Sequence, residues 1–147
     1  MKKFEFSLNK LLNYKEQLLK KEKNALADLR KQLQILIDEK NNLIKLRRSK
    51  NKELIDRINE GLSPQHIAFH KRYIDSVTDK ISNININIVN LEKSIKNQLE
   101  VVIEITKEID SYEKLEKKQL EEYKKAETKQ NELFIEEFVS HKSFITH

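Results

Sequence analysis

Cysteine and tryptophan are absent from this chain of 147 residues, and glycine and proline occur once each. Without cysteine there is no disulfide framework, no zinc-finger arrangement and no thiol redox chemistry, a composition that suits a reducing compartment. A single glycine excludes a Gly-rich phosphate loop. A layered compact fold is also excluded, because each reversal of the chain calls on residues that tolerate turn geometry, and these are nearly missing. Apolar residues never run unbroken for the ~20 positions of a membrane span. The first twelve residues lack the apolar block of a signal peptide. The expectation is a cytoplasmic chain with no transmembrane segment.

What is abundant is charge, at 36% of residues, together with Lys, Glu, Leu, Ile and Asn. That mixture fits long helices whose core is a line. The net charge of +5 is unevenly spread: residues 1–60 carry sixteen basic and nine acidic side chains, and residues 61–147 carry thirteen and fifteen. The first arm is therefore basic and the second nearly balanced. Such a bias favours an acidic protein surface, an anionic membrane face or nucleic acid, without choosing among them.

Residues 74–112 organise the rest. Taken every third and fourth residue they give Ile74, Val77, Ile81, Ile84, Ile88, Leu91, Ile95, Gln98, Val102, Ile105, Ile109 and Tyr112. The alternation averages 3.5 residues, a heptad seam that another helix must cover. Within it residues 83–90 read Asn-Ile-Asn-Ile-Asn-Ile-Val-Asn, the period of two expected of a strand. The helical phase enters and leaves that window unchanged, so a helix is the reading adopted. The window is still a local weakness, since Ile and Asn are both mediocre helix formers.

Helix 1 is predicted over about 5–60, opening near Phe4-Glu5-Phe6-Ser7 with Ser7 as N-cap. Its apolar positions include Leu8, Leu11, Leu12, Leu19, Leu26, Leu29, Leu33, Leu36, Leu43, Leu54, Ile55 and Ile58. At about 1.5 Å per residue such a helix would be roughly 80 Å long and needs a partner along its stripe. Glu60-Gly61-Leu62-Ser63-Pro64 supplies a stop and a start back to back: Gly61 for a left-handed end, Ser63 for an N-cap, Pro64 for the first turn. A turn at 61–63 and a second helix over about 64–139 follow. The expected architecture is all-α, one antiparallel coiled-coil hairpin spanning 1–147, monomeric when isolated.

A hairpin centred near Leu62 pairs residues whose numbers total about 124. Leu43 then faces Ile81, Leu36 faces Ile88, Leu33 faces Leu91, Leu29 faces Ile95 and Leu12 faces Tyr112, each layer joining an a to a d position. The same register sets Lys15, Glu22, Lys40, Arg47 and Lys50 against Ile109, Val102, Ile84, Val77 and Ile74. Either long stems cover the Ile stripe while their heads reach water, or another protein completes it. Beyond about Leu120 the second helix outruns the first. There Leu120, Tyr123, Ala126, Leu133, Phe134 and Phe138 keep an amphipathic stripe that wants a partner, unless Glu and Lys pairs hold a solvated helix.

Catalytic chemistry is not indicated. The acids lie on exposed helix faces and form no paired-carboxylate cleft. His66 and His70 are spaced i,i+4, but no third ligand stands at a motif spacing, so neither metal nor cofactor is expected and a polar role at the turn is. Lys45, Arg47, Arg48, Lys50 and Lys52 form a basic run without interleaved aromatics, better suited to a solvated face or an acidic protein than to nucleic acid.

The opening Phe4-x-Phe6-x-Leu8-x-x-Leu11-Leu12, the single central break, the Lys/Glu-rich second arm, Leu36-Ile37-Asp38 and Tyr73-Ile74-x-x-Val77 together resemble the bacterial flagellar FliJ family. The resemblance implies a general component of the flagellar type III export apparatus. It also implies a coiled-coil stalk for the hexameric export ATPase that contacts the cytoplasmic domain of the export gate and the export chaperones, peripheral at the cytoplasmic face of the inner membrane. The gate contact would fall on Gln32, Leu36, Leu43, Tyr73 and Val77. The ring contact would fall on the paired termini, with Phe4, Phe6, Tyr123, Phe134 and Phe138. The residues alone leave open a prefoldin-like holdase or tether that works without an ATPase, and a basic nucleic-acid-binding hairpin, which steep salt dependence would betray.

Overall fold

The structure, a computed structural model, describes residues 2–146, with side chains from Lys2 to Lys142. Two helices occupy nearly all of it: α1, Asn9–Glu60, and α2, Pro64–Thr146, with no strand among the described residues. The fold is an all-α helical hairpin.

The turn is built as its residues dictate. Gly61 adopts φ +99°, a left-handed conformation that a side chain would strain, and its N–H donates to the Ile58 carbonyl at 3.1 Å. Ser63 caps α2: its Oγ accepts from the His66 N–H at 3.4 Å, and its carbonyl accepts from the Ile67 N–H at 3.0 Å. The His66 ring closes the same cap, with Nδ1 at 2.6 Å from the Ser63 hydroxyl.

α1 starts later than expected. Residues 2–6 are non-helical, and the first turn forms around Leu8, whose carbonyl accepts from Leu12 at 2.9 Å. Ser7 therefore lies outside the helix rather than at its N-cap. Phe6 is buried and Phe4 packs on Tyr123, so both aromatic rings are held against α2 by a segment that a helix starting at residue 5 would carry away. α2 in turn runs past the expected end near 139 to Thr146, because no Gly or Pro follows Pro64 to stop it.

The chain divides into two compact units, Glu22–Val101, and Met1–Lys21 with Val102–His147. In the first, Val77, Ile81, Ile84 and Ile88 of α2 are buried, Ile74, Leu91, Ile95 and Gln98 are half-buried, and Leu26 and Leu54 of α1 are buried. The helical reading of residues 83–90 holds: Ile84 and Ile88, one turn apart, point into the seam while Ile86 between them is 59% exposed. Arg47 reaches Thr78, Lys50 sits 5.9 Å over the Tyr73 ring, and Gln98 bonds Glu22. The residue numbers of these pairs total 120 to 125, as an antiparallel hairpin about Leu62 requires. In the second unit Leu12, Phe6, Ile105 and Ile109 form a core with Leu8, Leu19 and Tyr112 around it, and Lys15 pairs with Glu108 at 2.6 Å.

Burial settles the question of the charged positions. Lys15, Lys40, Arg47 and Lys50 are all half-buried, and the residues they were expected to face, Ile109, Ile84 and Val77, are buried within the chain, with Ile74 half-buried. Their stems cover the stripe, and no second protein is needed to complete it. Three positions of the α1 stripe, Leu11, Ile55 and Ile58, instead face solvent one step off the seam.

Candidate interaction surfaces

With buried layers this narrow, any site must lie on a helix face. Among the surfaces that present apolar atoms in the described residues, three carry the residues of interest. The first is a groove of about 510 Å³ between the helices of the Glu22–Val101 unit, lined by Gln32, Ile35 and Leu36 from α1 and by Asn87, Asn90, Leu91 and Ser94 from α2. None of these seven side chains is charged. Seam layers at Leu36 and Leu91 form the floor, and Ile35, at 64% exposure, stands at the rim. A surface of this make-up takes an apolar side chain flanked by amide or hydroxyl partners.

The second surface lies nearer the turn. Tyr73 is 42% exposed, held by the Lys50 ammonium over its ring. Lys50 also pairs with Glu53 at 3.2 Å, and Arg57 pairs with the same carboxylate at 2.9 Å. Those two cations, Lys50 first, hold the Glu53 carboxyl below its ordinary range. Phe69, 64% exposed and edge-on to His70, lies four residues before Tyr73.

The third is the exposed length of α2 beyond Tyr123. Tyr123 is anchored to the N-terminal segment: the ring packs on Phe4 at 5.6 Å and its hydroxyl donates to the Lys2 carbonyl. Desolvation, and then the nearby Glu127 carboxylate, push its phenol above the ordinary value, so it stays a protonated donor. Every residue from Lys124 to Lys142 is exposed. Within that stretch Leu133, Phe134, Ile135, Phe138 and Val139 are each at least half exposed, Phe134 the most at 69%. The side chains of 143–147, the end of the expected overhang, lie outside the described residues.

Of the residues expected at a gate contact, Gln32 and Leu36 meet in the groove, Leu43 is half-buried in the seam and Tyr73 is exposed beside Lys50. Val77, at 2% exposure, is the most deeply buried side chain among the described residues. Of those expected at the ring end, Phe134 and Phe138 are open, while Phe4 and Tyr123 spend their rings on one another. Phe6 is likewise used up in the core. Ile35, Phe69, Ile135 and Val139 were not singled out from the sequence. They are apolar residues off the seam, and that phase offset is the signal that could have found them.

Among the described residues no three His, Cys, Asp or Glu side chains gather as a metal site, and no helix is long and apolar enough to cross a membrane. A family model described as "Flagellar FliJ protein" matches residues 4–144. No curated protein and no solved structure matches the chain.

Proposed function

The chain belongs to the flagellar FliJ family and is thereby a component of the flagellar protein-export apparatus; from that premise we propose that it is a non-catalytic stalk and adaptor for the hexameric export ATPase. The exposed length of α2 beyond Tyr123 engages the ATPase ring and promotes its assembly and turnover. The uncharged groove at Gln32, Ile35 and Leu36, with Tyr73 beyond it, takes the cytoplasmic domain of the export gate. Export chaperones dock on the same hairpin. The work is done in the cytoplasm, at the inner face of the membrane.

The observation that carries this reading is the row of bare apolar side chains at Leu133, Phe134, Ile135, Phe138 and Val139. An isolated helix in water gains nothing from two phenylalanines on its surface, and aromatic side chains are frequent anchors of interfaces. Mixing the chain with purified flagellar export ATPase and following ring formation and ATP turnover tests it. Activation that disappears when the exposed length of α2 is removed is the expected result. Unchanged turnover, with suppressed aggregation of an unrelated unfolded protein, would favour the holdase reading instead.

A further inference from the structure

Residues 81–91, Ile-Ser-Asn-Ile-Asn-Ile-Asn-Ile-Val-Asn-Leu, contain no charge, no Gly and no Pro. As helix they divide unevenly: Ile81, Ile84 and Ile88 are buried and Leu91 half-buried, while Ile86 and Val89 stand in solvent. As strand the central residues 83–88 would divide cleanly, with Ile84, Ile86 and Ile88 on one face and Asn83, Asn85 and Asn87 on the other, where Ile81, Val89 and Leu91 flank the amides. An apolar face backed by a row of amides, in a short uncharged segment rich in β-branched residues, is the composition that stacks into cross-β sheets. The ends of the segment are as specific as its middle. Asp79-Lys80 precede it and Glu92-Lys93 follow.

We propose that residues 81–91 are a second interaction segment of this protein, whose partner is the same segment of another copy, paired as antiparallel β-strands centred on Ile86. In that register Ile84 faces Ile88, Asn85 faces Asn87 and Ile86 faces itself. At both ends Lys80 faces Glu92 and Asp79 faces Lys93, so every flanking charge meets its opposite. A parallel in-register pairing would set each of these charges on its own kind. The hairpin keeps the segment out of reach, because Ile84 and Ile88 lie in the seam opposite α1. Pairing therefore starts when the hairpin opens, and helix and sheet compete for Ile84 and Ile88.

All the residues that tell the two states apart are exposed in the hairpin: Asp79, Lys80, Ile86, Glu92 and Lys93. This permits a test on the full-length chain, held near its melting midpoint and followed by infrared amide I bands and sedimentation. The native chain should convert from helix to sedimenting antiparallel sheet. Ile86→Lys should leave the melting temperature unchanged and abolish the conversion. Lys80→Glu sets like charges against each other at both ends, and should slow conversion on the order of tenfold. Adding Glu92→Lys to Lys80→Glu restores opposite charges and should restore the rate. A native chain that refolds without sheet, or an Ile86→Lys chain that converts as fast as the native one, would overturn the proposal. A single charge variant as slow as its double partner, or neither slowed, would overturn the antiparallel register.

Discussion

At the scale of single residues the hairpin rests on which of two neighbours faces inward. Ile88 is buried opposite α1 and Asn87 beside it is exposed. Ile88→Asp places a carboxylate in a largely dry seam, and should cost about 3 to 5 kcal/mol, a fall on the order of 10 °C in melting temperature for a chain of this size. Asn87→Asp should move it little, and equal melting curves for the two would refute the seam as described. The Lys15–Glu108 pair offers a test by pH. Hydrogen bonding to Glu108 raises the Lys15 pKa above its ordinary 10.5. A raised folded value means that the contribution of the Lys15 ammonium is fully present at neutral pH and fades as pH climbs through the raised value. Lys15→Met should flatten the alkaline end of the stability curve, as measured by thermal melts across that range. Gln98 is the polar member of the seam, and its Nε2 donates to both the carbonyl and the carboxylate of Glu22, at 3.0 and 2.6 Å. A polar layer of this kind holds one register against its neighbours a turn away.

At the scale of elements, α2 changes character at Tyr123. Up to that residue it is anchored through Phe4 and Lys2, and from Lys124 to Lys142 it is exposed. A chain cut after Lys125 should melt within about 2 °C of the whole protein, since less than about 1 kcal/mol of packing is lost. Cutting after Leu120 removes Tyr123 and should melt measurably lower. Coincidence of the two curves would mean that the Phe4–Tyr123 contact holds nothing in place. The groove makes the complementary case. Ile35 is exposed at its rim, so Ile35→Lys should leave folding intact and weaken binding to the export gate by tenfold or so, the loss of about 1.4 kcal/mol expected for one interface anchor. Undiminished gate binding, measured by titration calorimetry, would move the gate contact elsewhere.

For the molecule as a whole, stability and activity should separate. Phe134 and Phe138 are exposed and support no fold. Replacing both by Ala should leave the melting temperature as it is and remove much of the activation of the export ATPase, read as ATP turnover with saturating chain. Full activation by the doubly substituted protein would place the ring contact on another surface. Salt adds a second criterion at this scale. An apolar contact at the exposed length of α2 should hold as ionic strength rises, whereas binding through the basic residues at 45–52 should weaken.

Much of this molecule was legible in the sequence, because the signals involved are local. Gly61, Ser63 and Pro64 end one helix and begin the next through their own backbone preferences, and the spacing of residues 74–112 names the buried stripe residue by residue. Family membership, too, was readable from the opening Phe4-x-Phe6 pattern and the single break. The tertiary structure decided what a stripe cannot express. The register sets Val77 against α1, but only packing shows how completely it is sealed there, at 2% exposure. Phe4 and Phe6 look alike in sequence, yet one ring packs on Tyr123 and the other fills the core, and together they delay α1 to Asn9. Lys15, Lys40, Arg47 and Lys50 read as gaps in a stripe, and become its cover because their stems are long enough to lie across it. Periodicity is a property of one helix, and burial depends on what lies across from it.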